Sequence, residues 1–165
     1  MTSSQIVELN KANIELLQKT LLAEMPNEGC ALLIGHQHIH DSSKDAIRLK
    51  IDIIWPCSNI WKPGIFDNSF EKNKTHVSDM ISCSKKNRFA INPMDHLLAQ
   101  KWARSHKSKI LGTAHSHPCG EAIPSILDIS LTLCPNLMLI TDRFGKIRAW
   151  WIDSNRQFQE LELVS

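Results

Sequence analysis

The sequence lacks the features that mark exported, membrane-spanning and nucleic-acid-binding proteins. No stretch approaches the roughly 18 consecutive apolar residues that a membrane helix needs. The opening residues, MTSSQIVELN, have neither the basic start nor the apolar core of a signal peptide. The formal net charge is only +2, and the basic residues are scattered. We therefore expect neither a membrane nor a nucleic acid as a partner.

The cysteines also lack the pattern of a disulfide framework. They are five in number, which is odd, and no two of them form a CxxC pair. This favours free thiols and a cytoplasmic location, where the environment is reducing. The five are Cys30, Cys57, Cys83, Cys119 and Cys134.

What the chain does have is the composition of one globular domain. It is 42% hydrophobic and 22% charged over 165 residues, which suits a single domain covering 1–165. Apolar residues at helical spacing predict a helix over 12–23, and short apolar runs predict strands. The expected fold class is α/β of the α+β kind, with a curved, largely antiparallel mixed sheet flanked by helices. The predicted strands are 30–34, 38–41, 46–55, 89–91, 109–117, 137–141, 146–153 and 157–164.

Two further helices and one long loop complete the predicted organisation. Residues 58–88 show polar clusters and no sustained period, which predicts a loop. Asn92 followed by Pro93 is a typical helix start, and this helix is predicted to run to about His106. A third helix is predicted over 125–135. The apolar face of the second helix is predicted to carry Met94, Leu97, Leu98 and Trp102.

Two histidines, His115 and His117, end the apolar strand at 109–117. Side chains two apart on a strand lie on one face, and two neutral imidazoles on one face favour a zinc site. Ser125 and Asp128 follow, three apart, at the start of a helix. That pair is typical of an N-terminal capping box, yet a carboxylate there can also reach back as a third ligand. Both interpretations stay open; three ligands would leave a fourth position for water, as in catalytic zinc sites.

The joint spacing resembles the JAMM signature of the MPN-domain metalloproteases. His-Ser-His-Pro at 115–118 is followed, after six residues, by Ser125-x-x-Asp128. Upstream, Glu28 opens the pattern Glu-x-Cys-x-Leu-Leu-x-Gly, which looks like the prokaryotic branch of that family. The order of predicted elements extends the resemblance over nearly the whole chain, as a single MPN-like domain.

The resemblance implies a role for each of these residues. His115, His117 and Asp128 would hold one Zn²⁺ per chain. Glu28 would take a proton from the attacking water and pass it to the leaving amine, which suits a carboxylate near a metal. Ser125 would hydrogen-bond the oxyanion of the tetrahedral intermediate. The chemistry is physically consistent, because zinc lowers the pKa of its water to about 7.

The resemblance also implies a substrate. It would be an amide or isopeptide bond after the C-terminal glycines of a ubiquitin-like or sulfur-carrier protein. The enzyme would release the carrier from a lysine or trim a residue from its C-terminus. The extended tail would add a strand to an exposed sheet edge, with loop 58–88 as its cover. Two alternatives stay open: a non-catalytic MPN scaffold, and a metal-stabilised binding module without turnover.

Several other residues invite a functional interpretation but are expected to be structural. Cys119 follows the His-Pro pair, where a thiol is either an extra ligand or a spectator, and we expect the spectator. The three histidines of GHQHIHD share one strand face and are expected at a polar hairpin edge. Asn59 is expected to form a turn, and Ser116 to hydrogen-bond within its loop. The tryptophans expected in the core are Trp55, Trp102, Trp150 and Trp151.

Overall fold

Residues 4–39, 46–65 and 84–165, which the computed structural model describes, form seven strands and three helices. None of these helices is long and apolar enough to cross a membrane. The elements in chain order are β1 (Ser4–Leu9), α1 (Lys11–Leu22), β2 (Cys30–Ile39), β3 (Ala46–Cys57), α2 (Pro93–Ser105), β4 (Lys109–His117), α3 (Ile126–Leu131), β5 (Asn136–Asp142), β6 (Ile147–Ile152) and β7 (Phe158–Val164).

The seven strands form one sheet that closes on itself in the order β1-β3-β2-β4-β5-β6-β7, with β7 again beside β1. Three of the ladders between the described strands are parallel, namely β1–β3, β1–β7 and β4–β5. The other four are antiparallel. The predicted mixed α+β class is confirmed, and the curvature of the sheet is complete enough to make a barrel.

The alternation of side chains along the strands builds three separate hydrophobic clusters. On β2, Ala31 and Leu33 join the main core together with Leu17 and Leu21 of α1. Leu32 and Ile34 point to the other face of the sheet, where they pack against α2. β5 divides its residues in the same way, with alternate side chains in the main core and in a third cluster near Trp150. Strands buried on both faces therefore form the centre of the domain.

Two of the predicted strands are wrong, and one strand was not predicted. Residues 38–41 do not start a new strand, because β2 runs on to Ile39 through a bulge at Ile34 and Gly35. Gly35 is needed there, since a Cβ on it would lie 1.9 Å from the carbonyl oxygen of Lys50. Residues 89–91 form only an isolated bridge between Asn59 and Ile91. The sequence analysis also missed β1, and the third helix ends at Leu131 rather than near 135.

Three of the four residues predicted for the contact face of α2 are exposed instead, while the fourth, Trp102, does pack there. Met94, Leu97 and Leu98 are 57%, 57% and 49% exposed. The helix instead packs through Ala99 and Ala103, whose small side chains let its backbone approach β2 closely. Of the tryptophans expected in the core, Trp150 is buried. The other three are partly buried. Trp151 packs against the main core, and Trp55 and Trp102 pack against the cluster beneath α2.

Candidate metal centre

The imidazoles of His115 and His117 meet at the end of β4, as the strand spacing predicts. Their Nε2 atoms are 3.0 Å apart. The side chain of His115 is fully buried and that of His117 is 12% exposed. β4 lies between β2 and β5 in the sheet, so both neighbours hold this strand end in place.

Asp128, in the first turn of α3, completes the group. Its Oδ1 lies 3.4 Å from His115 Nε2, and its Oδ2 lies 3.4 Å from His117 Nε2. The same carboxylate accepts a hydrogen bond from the backbone N–H of Ser125 at 2.7 Å, while Ser125 Oγ accepts one from the Asp128 N–H at 3.1 Å. The capping box and the approach of the Asp128 carboxylate to the histidines, both left open by the sequence, therefore occur in the same structure.

The spacing of these three donors fits a metal ion. Zinc binds nitrogen and oxygen at about 2.0–2.2 Å, so two ligands of a tetrahedral site lie roughly 3.3 Å apart. His115 Nε2 and His117 Nε2 lie 3.0 Å apart, and each lies 3.4 Å from a different oxygen of Asp128. With one ligand atom taken from each residue, the three atoms lie within 4.8 Å of one another. His117 Nδ1 lies 2.7 Å from the carbonyl oxygen of Glu121. A proton on Nδ1 makes that contact a hydrogen bond and leaves the Nε2 lone pair for a metal. His115, His117 and Asp128 could therefore hold one ion.

An aromatic ring covers the buried histidine. Phe89 stacks on His115 with ring centroids 4.5 Å apart and an interplanar angle of 24°. His115 Nδ1 is buried and has no hydrogen-bond partner among the described residues. Sequence patterns did not single out Phe89, because its 26-residue separation from His115 leaves no local signal.

The pairing of β2 with β4 places Glu28 beside this group. Cys30 lies opposite His115 in the antiparallel register. One residue earlier, Gly29 exchanges hydrogen bonds with Ser116, and the next pair along the same register is Glu28 with His117. The Glu28 side chain is 5% exposed. Burial raises its pKa to about 8, although the charge of His117 opposes the rise.

The charges of the three candidate ligands are strongly coupled. Burial lowers the pKa of His117, but the Asp128 carboxylate outweighs burial and the net shift is upward. Burial raises the pKa of Asp128, but the charge of His115 and the hydrogen bonds around the carboxylate outweigh it and hold the pKa far below its usual range. Asp128 is therefore ionised, and protons compete with a metal for the imidazoles.

A family model for prokaryotic homologs of the JAB domain matches residues 11–153. The chain belongs to this family. The resemblance seen in the sequence is therefore confirmed at the level of the family. A comparison with curated proteins gives no match.

Solved structures that resemble this JAB-family domain include the following three. A solution structure from Desulfitobacterium hafniense has a TM-score of 0.68 and 23% identity, over 96% of this chain and 91% of that one. A solution structure from Salinibacter ruber has a TM-score of 0.60 and 18% identity, over 98% and 90%. A JAB1/MPN domain protein from Archaeoglobus fulgidus has a TM-score of 0.46 and 18% identity, over 98% and 99%. At these identities the likeness to the first two structures concerns the fold alone.

Ser116 ties the ligand strand of this JAB-family domain to the first helix. Its Oγ accepts the Gly29 N–H at 2.9 Å and donates to the Leu21 carbonyl at 3.4 Å. The hydroxyl is fully buried on the face opposite the histidines. Its partners lie in α1 and before β2, not in the loop, so that part of the prediction is wrong.

Asn59 does more than form a turn. Its Nδ2 donates to the carbonyl oxygens of Glu28 at 2.9 Å and of Arg88 at 3.0 Å. Its Oδ1 accepts the N–H of Trp61 at 3.0 Å, the turn contact, and that of Ala90 at 3.2 Å. One amide thus joins the main chain at Glu28 to the segment that covers His115. The distant partners could not be read from the sequence.

A cleft of about 330 Å³ opens beside the centre. Glu28, Ser125 and Asp128 line it, and most of the remaining wall is apolar. The apolar lining comes from β2, β4, β5, α3 and the segment at 89–91, and includes Leu32, Phe89, Ile91, Ile110, Leu127 and Met138.

None of the remaining candidates among the described residues belongs to the group of three. Cys119 is exposed on the loop after β4, and Cys30, Cys57 and Cys134 are free thiols as well. Cys83 lies outside the described residues. His36 pairs with Asp52 at 2.8 Å on the surface of the sheet, whereas His40 and the loop residues 66–83 also lie outside the described part of the chain.

Proposed function

We propose that this JAB-family protein is a zinc-dependent hydrolase. Its substrate would be an amide or isopeptide bond at the C-terminal Gly-Gly tail of a ubiquitin-like or sulfur-carrier protein. The observation that carries the proposal is a buried carboxylate, Glu28, with a pKa near 8 next to a group of three metal-ligand side chains that opens on a cleft. Structural zinc sites use four protein ligands, and the described residues bring together three.

The arrangement assigns a step to each side chain. Zinc, when bound by His115, His117 and Asp128, would supply a water that is nucleophilic at neutral pH. Glu28 would accept a proton from the nucleophile and donate it to the leaving amine, a role that suits a buried carboxyl beside the ligand group. Ser125 Oγ accepts the Asp128 N–H, so its own proton stays free to bond the developing oxyanion.

The cleft supports an extended peptide as the substrate. Around Ala90 the main chain already bonds to the neighbouring segment, through Ile60 N–H to the Ala90 carbonyl at 2.9 Å. In an extended segment the peptide groups alternate in direction, so those of Phe89 and Ile91 point the other way and are available to pair with a bound chain. The choice of a Gly-Gly tail rests on the family resemblance.

The deciding experiment compares Glu28→Gln with the exposed Glu121→Gln as a matched control. Each purified protein is assayed for bound zinc and for cleavage of a Gly-Gly-lysine adduct of a carrier. We expect zinc in all of them, and a fall in cleavage of about 10³-fold in Glu28→Gln alone, a typical size for general acid–base catalysis. The double variant His115→Ala, His117→Ala should lose the zinc.

Two outcomes would overturn parts of the proposal. Zinc binding that survives the double histidine variant would mean that the metal lies elsewhere. A wild-type protein that holds zinc and binds the carrier adduct without cleaving it would support a metal-stabilised binding module or an MPN scaffold instead of an enzyme.

A further inference from the structure

Helix α3 carries Ser125 at its cap and Asp128 in its first turn, but it has little packing of its own. None of its six residues, all in the described part of the chain, is buried. Ile129 alone of the six packs at the edge of the cluster around Trp150. A helix this short is unstable by itself in water, so contacts at its ends must hold it in place.

The N-terminal end of α3 is held from two sides. The capping box between Ser125 and Asp128 satisfies the first N–H groups of the helix. Just before it, the indole N–H of Trp150 on β6 donates to the carbonyl oxygen of Ala122 at 2.9 Å. These contacts fix where the helix starts, but they do not hold its C-terminal end.

The far end is held from two places: Arg156 bonds its carbonyl groups, and Asn136 Nδ2 on β5 donates to Oγ1 of the cap residue Thr132 at 2.9 Å. Arg156 Nη1 donates to the carbonyl oxygen of Ile129, to that of Ser130 at 3.0 Å and to that of Thr132 at 3.4 Å. The last carbonyls of a helix have no partner inside it and form the negative end of its dipole. A guanidinium group supplies both the donors and the positive charge that such an end favours.

The turn between β6 and β7 presents Arg156 in a fixed orientation. Arg156 has φ of 62°, in the left-handed region that residues other than glycine seldom adopt. Asp153 holds the turn, because its Oδ1 accepts the N–H of Asn155 at 2.8 Å and that of Gln157 at 2.9 Å. The Arg156 N–H also donates to the Asp153 carbonyl at 3.0 Å. The main chain that carries the Arg156 side chain is therefore held by hydrogen bonds within the turn.

We propose that Arg156 is a positioning residue for the metal centre. By binding the end of α3, it keeps the Asp128 carboxylate within 3.4 Å of both histidines, which belong to a different element. Arg156 acts through the helix and touches neither metal nor substrate. The inference rests on the proposed metal site, and extends it to a residue 28 positions away in the chain.

The test compares Arg156→Ala with Arg143→Ala, an exposed arginine on the β5–β6 turn that makes no contact with α3 among the described residues. Each protein is titrated with Co²⁺, whose visible spectrum reports the ligands, and with Zn²⁺ in competition with a chelator. We expect about tenfold weaker binding and an altered Co²⁺ spectrum in Arg156→Ala, within the range seen when groups that orient ligands are removed. Arg143→Ala should match wild type.

Three further measurements separate positioning from a general loss of folding. The amides of α3 should exchange faster in Arg156→Ala, while the Tm of the metal-free protein stays within about 2 °C of wild type. Arg156→Lys, which keeps one charged donor, should recover part of the affinity. Millimolar guanidinium added to Arg156→Ala should do the same.

Unchanged metal affinity and an unchanged Co²⁺ spectrum in Arg156→Ala would overturn the inference. A large fall in the Tm of both Arg156 variants would also overturn it, since the residue would then serve the whole fold. If the wild type itself binds no metal, the proposed function fails, and the exchange of the α3 amides still decides whether Arg156 holds the helix.

Discussion

The candidate centre has two halves that are held in place by different forces. The sheet half consists of His115, His117 and Glu28, on paired strands whose other face lies in the main core. The helix half consists of Ser125 and Asp128, on a helix with no buried residue. Hydrophobic packing fixes the first half, and hydrogen bonds at the two helix ends fix the second. Changes in the sheet half should therefore affect global stability, and changes in the helix half should affect the site alone.

The sharpest contrast is expected for apolar truncations. Leu139 on β5 is fully buried opposite Ala114, next to the ligand strand, whereas Ile126 on α3 is 80% exposed. Leu139→Ala should lower the free energy of unfolding by about 3–5 kcal/mol, because it removes packing and leaves a cavity. Ile126→Ala should change it by less than about 0.5 kcal/mol. Denaturant titration measures both, and similar losses would erase the distinction between the halves.

The second prediction concerns the buried carboxyl of the sheet half. The pKa of Glu28 is about 8 in the folded protein against an ordinary 4.5, so folding favours the protonated form. The stability that this group contributes is complete below pH 4.5 and is lost as the pH rises through 8. Without metal, Glu28→Gln should therefore be more stable than wild type above pH 8, by up to about 5 kcal/mol, and equally stable near pH 4.

Urea denaturation at several pH values, with metal removed by a chelator, measures this difference. Glu121→Gln is the matched control, because the Glu121 side chain is exposed, and its curve should run parallel to wild type. A constant difference between Glu28→Gln and wild type from pH 4 to 9 would show that burial does not perturb Glu28.

The local part of the centre could be predicted from the sequence, and its long-range part could not. His115 and His117 are two apart, and Ser125 and Asp128 three apart, so strand and helix geometry alone bring each pair together. Glu28 is 87 residues before His115. Its place depends on the β2–β4 register, which only the family resemblance indicated. Phe89 and Arg156 were not singled out, and for Asn59 a turn was preferred to a place at the site, because each of the three bonds or packs with residues far along the chain.

The errors in the fold have a similar physical origin. Periodicity assigns the larger apolar side chains of α2 to the core, but close packing of a helix on a sheet favours Ala99 and Ala103. The glycine at position 35 signals a strand end, yet it also permits the bulge through which β2 continues. In both cases a residue type is compatible with two local structures, and contacts with distant parts of the chain decide which one forms.

The third prediction compares two serines. Ser116 in the sheet half satisfies the buried N–H of Gly29, whereas the hydroxyl of Ser130 in α3 bonds, among the described residues, only to the Ile126 carbonyl of its own helix at 2.7 Å. Ser116→Ala should cost about 1–3 kcal/mol of unfolding free energy, because a buried donor loses its partner. Ser130→Ala should cost less than about 0.5 kcal/mol. An equally mild Ser116→Ala would mean that water can reach Gly29.

The fourth prediction separates the two roles of Ser125 in the helix half. Ser125→Ala removes the cap and the hydroxyl and should cost up to about 1 kcal/mol, whereas Ser125→Gly keeps most of the helix stability. Both should lower kcat for the carrier adduct by about 10²-fold, the size expected when an oxyanion donor is lost. Ser125→Thr should restore both properties. Normal kcat in Ser125→Gly would leave Ser125 with the capping role alone.

The smallest effect is expected at the loop that joins the two halves. Cys119 is exposed there, and the ligand group among the described residues consists of His115, His117 and Asp128 without it. Cys119→Ser should leave Zn²⁺ affinity within about twofold of wild type. Co²⁺ distinguishes the alternatives, because a thiolate ligand adds a sulfur-to-metal charge-transfer band. If wild type shows that band and Cys119→Ser does not, the thiol takes the fourth position. The centre would then be closed as in a structural zinc site, and the proposed hydrolysis would have no place for its water.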